Sequence, residues 1–64
     1  MQPHQQRVID ERDELEVKRL ALEKFITENP IFKSISVSDG ELLCEQFRAM
    51  CVYSAILAER IRRF

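Results

Sequence analysis

The chain holds a single glycine, Gly40, and a single histidine, His4. With one glycine there is no loop whose backbone could wrap a phosphate. With one histidine, at the start of the first helical stretch, there is no base to pair with a nucleophile. Carboxylates are plentiful, but they lie on a charged surface with nothing to shift their pKa values. No catalytic residue, cofactor or resident metal is therefore expected, and an enzyme is not. Two cysteines, Cys44 and Cys51, stand seven residues apart, about 10 Å along a helix axis. A disulfide needs Cα atoms closer than about 7 Å. They read as reduced, half-buried residues of an intracellular protein; an intermolecular disulfide in a secreted protein is the alternative.

Long apolar runs are missing too. None approaches the roughly 20 residues of a membrane span, and the first five residues lack the charged and apolar regions of a signal peptide. Ten Lys and Arg against eleven Asp and Glu leave a net charge of −1. That balance argues against broad nucleic-acid binding through the C-terminal arginines. It leaves room for a small anion held by a local cluster.

What is present is helix. From Glu41 to Phe64, at about 100° per residue, Leu43, Met50, Leu57 and Phe64 fall on one line, flanked by Leu42, Phe47 and Ile61. Ser38-Asp39-Gly40-Glu41 fits a capping box at its start. Asp39 and Glu41 suit the positive end of the helix dipole, and Arg60, Arg62 and Arg63 the negative end. Along one edge Gln46, Tyr53 and Arg60 repeat at the same seven-residue spacing. They are either the rim of a helix interface, with Arg60 snorkelling, or the wall of a polar pocket.

Pro3 suits the first turn of an earlier helix that runs to about Thr27. Val8, Leu15, Leu22 and Ile26 share one face of it, with Phe25 at the edge. Ile9, Val17 and Leu20 lie more than a quarter-turn away, which suggests a second packing surface for another subunit. Charge is dense from Asp10 to Arg19 and reads mostly as a solvated face, with Glu14 and Lys18 at favourable i,i+4 spacing. Asn29-Pro30 stops this helix. Ile31, Phe32 and Ile35 are too apolar for a free loop, so a short helical turn near Pro30–Lys33 is expected to fold back over the corner.

The expected fold is all-α: one domain over residues 1–64, an antiparallel hairpin with helices near 3–27 and 39–63 and a connector near 28–38. Two helices this short cannot bury these faces alone, so a symmetric homo-oligomer is expected. Cys44, Cys51, Ala55 and Ala58 fall on a side of the second helix that the first is not expected to cover. The antiparallel arrangement places His4, Gln5, Arg7 and Glu11 near Tyr53, Arg60, Arg62, Arg63 and Phe64. Arginines there would hold phosphates through paired contacts, and an aromatic ring could stack a base. The competing reading pairs Arg7, Arg60 and Arg63 with Glu11, Asp10 and Glu14 of neighbouring helices.

His4-Gln5-Gln6-Arg7-Val8, Asn29-Pro30-Ile31-Phe32, Glu45-Gln46, Met50, Tyr53-Ser54, Ile56-Leu57 and Arg60-Ile61 resemble small phage and prophage proteins. These are similar to the helical-hairpin domain of phage anti-CBASS and anti-Thoeris sponges. The resemblance implies a homo-oligomer, typically a hexamer, acting without catalysis in the cytoplasm of the infected bacterium. It would bind cyclic di- or trinucleotide or related cyclic nucleotide signals, cyclic ADP-ribose types included, and keep them from their effectors. Those sponges carry a further segment before the hairpin. Here the first helix begins almost at Met1, so a pocket would be built from the hairpin helices. Chemistry and resemblance coincide at Arg7, Gln46, Tyr53 and Arg60, which are the expected ligand-binding residues. The rival reading is a phage accessory protein-interaction or structural oligomer with no small-molecule ligand.

Overall fold

The computed structural model describes all 64 residues. α1 runs Pro3–Glu28, a 3₁₀ turn occupies Pro30–Ser34, and α2 runs Val37–Arg62. There are no strands. The hairpin measures 46 × 15 × 13 Å, as expected for two 26-residue helices rising about 1.5 Å per residue.

Each boundary has a local cause. Pro3 takes the first helical position, where its missing N–H removes nothing. Gln5 Oε1 accepts from the Gln2 amide at 2.9 Å and ties down the entry. Asn29 is extended, at φ −84° and ψ 123°, as a residue before proline prefers. Its side chain accepts from Ile31 N at 2.9 Å and so opens the corner turn.

The start of α2 lies two residues before the expected one. Ser36, not Ser38, is the N-cap: its hydroxyl accepts from Asp39 N at 3.2 Å, and its carbonyl accepts from Gly40 N at 2.9 Å. Two S-x-x-acid boxes overlap here, Ser36 with Asp39 and Ser38 with Glu41. The earlier one adds a further half-turn of helix and brings Gly40 under the corner. A Cβ at Gly40 would meet the Phe32 ring at 3.6 Å. Phe32 in turn meets Phe25 edge-to-face, with centroids 6.1 Å apart. The corner thus folds back as anticipated through Phe32 and Ile35, whereas Ile31 is exposed.

Where the two helices face each other, Val8 and Leu15 from α1 enclose Leu57 of α2, with Met50 and Ile61 packed against them. Leu57 is fully buried. Leu22, Ile26, Leu43 and Phe47 extend the seam as half-buried residues. Two residues assigned to this seam from the sequence lie outside it. Leu42 is 64% exposed and Phe64 47% exposed. Leu42 stands about 70° round the helix from the Met50–Leu57 centre of contact, at the edge of the seam and open to solvent, and Phe64 follows the end of the helix.

Candidate functional site

Beside the apolar seam the helices are joined by a polar lock. The Ser54 hydroxyl of α2 donates to Glu16 of α1. The Arg19 guanidinium grips the same carboxylate, Nη2 at 2.7 Å and Nε at 3.2 Å from Oε2. The Arg19 hydrogen bonds, and after them the Ser54 hydroxyl, pull the Glu16 pKa down from 4.5 to about 2 against some desolvation. Reciprocally, Glu16 raises the Arg19 pKa. Cys51 lies beside the Arg19 guanidinium, so that side of α2 is covered by α1 at Cys51 and not left free. The expected Glu14–Lys18 pair does not form; the ion pairs of this stretch are Arg12–Asp13, Arg19–Glu16 and Arg19–Glu23. The charged run therefore has an inward-facing flank, built from Glu16 and Arg19.

The lock makes folding stability depend on pH with a definite sign. A carboxylate with a depressed folded pKa binds fewer protons in the native state than in the unfolded one. Its contribution is fully present above about pH 4.5 and is lost as pH falls toward about 2. The urea midpoint of the wild type is expected to fall across that window more steeply than that of Glu16→Gln. Parallel profiles would contradict the lock.

The lock also sets the register along the hairpin. Counting outward from Glu16 and Ser54, Arg7 lies about one turn beyond Arg60, both at the end where α1 starts and α2 finishes. Both arginines are exposed, and neither forms an ion pair. Arg62 and Arg63 pair instead with Glu59 of their own helix. The expected competition from Asp10, Glu11 and Glu14 is absent within the chain: Asp10 accepts from Gln6 at 3.0 Å.

Tyr53 is 42% exposed and lies about 10 Å inward from Arg60 along α2. Gln46, also exposed, is about 21 Å from Arg60, toward the corner. Arg7, Arg60 and Tyr53 thus occupy one half of the hairpin, and Gln46 does not join them in a single chain. At 100° per residue, and with the two contact seams facing each other, all four residues fall on the same broad side of the hairpin.

None of the four lines a cleft of the isolated chain. The largest cleft, about 570 Å³, sits at the corner between Phe32, Ile35 and Cys44, with Lys33, Arg48, Glu41 and Glu45 at its rim. Sequence reasoning missed this cleft. Its one signal was the apolar connector, which read only as packing. No group of His, Cys, Asp and Glu is arranged to hold a metal ion. No helix is long and apolar enough to cross a membrane.

Comparisons with known proteins bear on the whole length of this hairpin. The chain is 41% identical over 64 residues to a protein of Enterobacteria phage T4, described as an uncharacterized 7.5 kDa protein in the denB-rIIB intergenic region. The alignment covers all of this chain and 98% of that relative. No solved structure matches. The profile of the family described as Sequestin matches residues 2–63, so the chain belongs to the Sequestin family.

Proposed function

We propose that this protein is a non-enzymatic sponge. It binds a cyclic oligonucleotide or cyclic ADP-ribose type of immune signal in pockets between the subunits of a homo-oligomer, and so withholds the signal from its effector. The observation that carries this reading is the pair of uncompensated guanidinium groups, Arg7 and Arg60, on the side of the hairpin that also bears exposed Tyr53. Arginine holds phosphate oxygens through paired, charge-assisted hydrogen bonds. A tyrosine ring stacks a base, and the Gln46 amide can both donate to and accept from a base edge. The family name supports sequestration as the role, and the phage T4 relative supports a phage-encoded protein working in the cytoplasm of the host.

Assembly is supported by the size of the core. Only Val8, Leu15 and Leu57 are buried, while Val17, Leu20, Leu42 and Ile56 are more than half exposed. A single chain of this length is marginal without partners. A closed oligomer, with a hexamer as the expected count, would cover such surfaces. The exposed Val17 and Leu20 equally suit a second reading, a protein-interaction or structural oligomer with no small-molecule ligand.

A thermal-shift panel of cyclic di- and trinucleotides and cyclic ADP-ribose isomers separates the two. A ligand at about a hundred times its Kd stabilises the native state by about 2.7 kcal/mol per site, a rise in Tm of about 10 °C or more for a domain this small. One responsive class, with no response to linear nucleotides, is the expected result. A flat panel from a well-folded oligomer would overturn the sponge reading in favour of the second.

A further inference from the structure

One hydrogen bond joins α1 to α2, from the Ser54 hydroxyl to the Glu16 carboxylate. Every other side-chain hydrogen bond and ion pair lies within one helix and its caps, or within the corner. No backbone hydrogen bond crosses between the helices. The rest of the contact is the apolar seam, and apolar attraction has no direction. Its residues recur at seven on both helices: Val8, Leu15 and Leu22 on α1, and Leu43, Met50 and Leu57 on α2. Such a repeat lets apolar residues meet in more than one alignment, and shifts of helix register are an ordinary protein motion. The corner holds one end of the hairpin. Arg7 and Arg60 lie toward the other, 22 residues before Asn29 and 23 after Val37.

Glu16 is made ready for its contact by its own helix. Arg19, about one turn on, donates Nε to both carboxylate oxygens at 3.2 Å and Nη2 to Oε2 at 2.7 Å. A free glutamate side chain has many rotamers; the guanidinium fork selects one that presents Oε1 to Ser54. Glu16, Arg19 and Ser54 are all half-buried. Arg19 also lies beside Cys51, about one turn before Ser54, and so touches both helices.

We infer that Ser54, Glu16 and Arg19 are positioning residues: they hold α1 and α2 in one register, which fixes the offset between Arg7 and Arg60, and this offset decides which ring size of cyclic oligonucleotide is retained. The clause on ring size rests on the sponge reading; the clause on register does not. Arg7 and Arg60 ride on different helices, so any slip changes the distance between their guanidinium groups. A slip of one residue is about 1.5 Å, whereas binding groups must stay within about 0.5 Å of their productive arrangement. Cyclic dinucleotides and cyclic trinucleotides carry two and three phosphates on rings of different width, so a single offset suits one ring better than the other.

Methyl-labelled protein without ligand tests the register. Nuclear Overhauser cross-peaks among the methyl groups of Val8, Leu15, Leu57 and Ile61 report how the helices are aligned. One set is expected for the wild type and for Ser54→Thr, which keeps the hydroxyl. Doubled or lost cross-peaks are expected for Ser54→Ala while its circular dichroism stays helical. Arg19→Lys, which removes the fork and leaves Ser54 in place, is the second variant and is expected to loosen the same cross-peaks. Wild-type cross-peaks in both Ser54→Ala and Arg19→Lys overturn the inference.

Isothermal titration with the best-bound cyclic dinucleotide and the best-bound cyclic trinucleotide tests the ring-size clause. Ser54→Ala is expected to change the ratio of the two affinities by about 5-fold or more, the lower end of coupling between separated groups. Ser54→Thr is expected to restore it. Partial unfolding lowers the competent fraction and so weakens both affinities by one common factor; the ratio moves only with the geometry of the site. An unchanged ratio overturns the ring-size clause. Loosened cross-peaks in Ser54→Ala alongside a flat panel for the wild type would remove the sponge reading, and the ring-size clause with it, while supporting the register clause. A responsive panel with unchanged cross-peaks would remove the positioning role alone.

Discussion

Replacing Leu57 with alanine is expected to destabilise the fold by about 2–5 kcal/mol, the range for deleting a buried leucine side chain without collapse of the site. Leu57 is the one fully buried side chain, and the core holds only Val8 and Leu15 besides. A domain of this size has few kcal/mol in total, so the variant is expected to be largely unfolded at micromolar concentration. Urea denaturation at a fixed protomer concentration measures the effect, since an assembling protein gains stability with concentration. Val52→Ala is the control: Val52 is 61% exposed, and its removal is expected to change stability by no more than about 0.5 kcal/mol. A Leu57→Ala midpoint close to that of Val52→Ala would mean that the seam between the helices is not where the fold is held.

The second large effect concerns binding. Arg60→Ala is expected to weaken affinity for the responsive cyclic nucleotide by about 10- to 150-fold, corresponding to the roughly 1.5–3 kcal/mol of a hydrogen bond to a charged group. Tyr53→Ala removes a stacking surface and loses about 5- to 150-fold. Arg60→Lys keeps the charge without the planar fork and is expected to recover only part of the loss. Isothermal titration, with circular dichroism to verify that each variant is helical, reads these changes. Wild-type affinity in both alanine variants would remove these residues from the site.

The parts of the fold that were legible in the sequence rest on local rules. Pro3 and Asn29-Pro30 mark α1 because a missing N–H and a pre-proline restriction act within one or two residues. The lines Val8–Leu15 and Met50–Leu57 were legible because burial on one face of a helix forces a near-sevenfold repeat. What was not legible depends on choices between equals or on distance in the chain. Ser36 and Ser38 each head a suitable box, and Phe32 lying over Gly40 accompanies the earlier one. Glu16 looked like one charge among many, because its partner Ser54 lies 38 residues away and only the register brings them together. For the candidate site, the shared spacing of Gln46, Tyr53 and Arg60 was visible, and so was the placement of Arg7 near Arg60. Their absence from every cleft of the single chain was not, because it depends on the direction in which α2 turns its seam.

Of 53 backbone hydrogen bonds, 46 lie within the helices. Almost everything that must form is therefore close in sequence, and chains with such local topology fold in microseconds to milliseconds. Encounter between chains is slower and scales with concentration. If the proposed sponge assembles from such hairpins, this would separate two clocks: each hairpin is ready almost as soon as it is made, and the delay before binding capacity appears would be set by copy number. Raising expression twofold would shorten that delay, while speeding the folding of the hairpin would not.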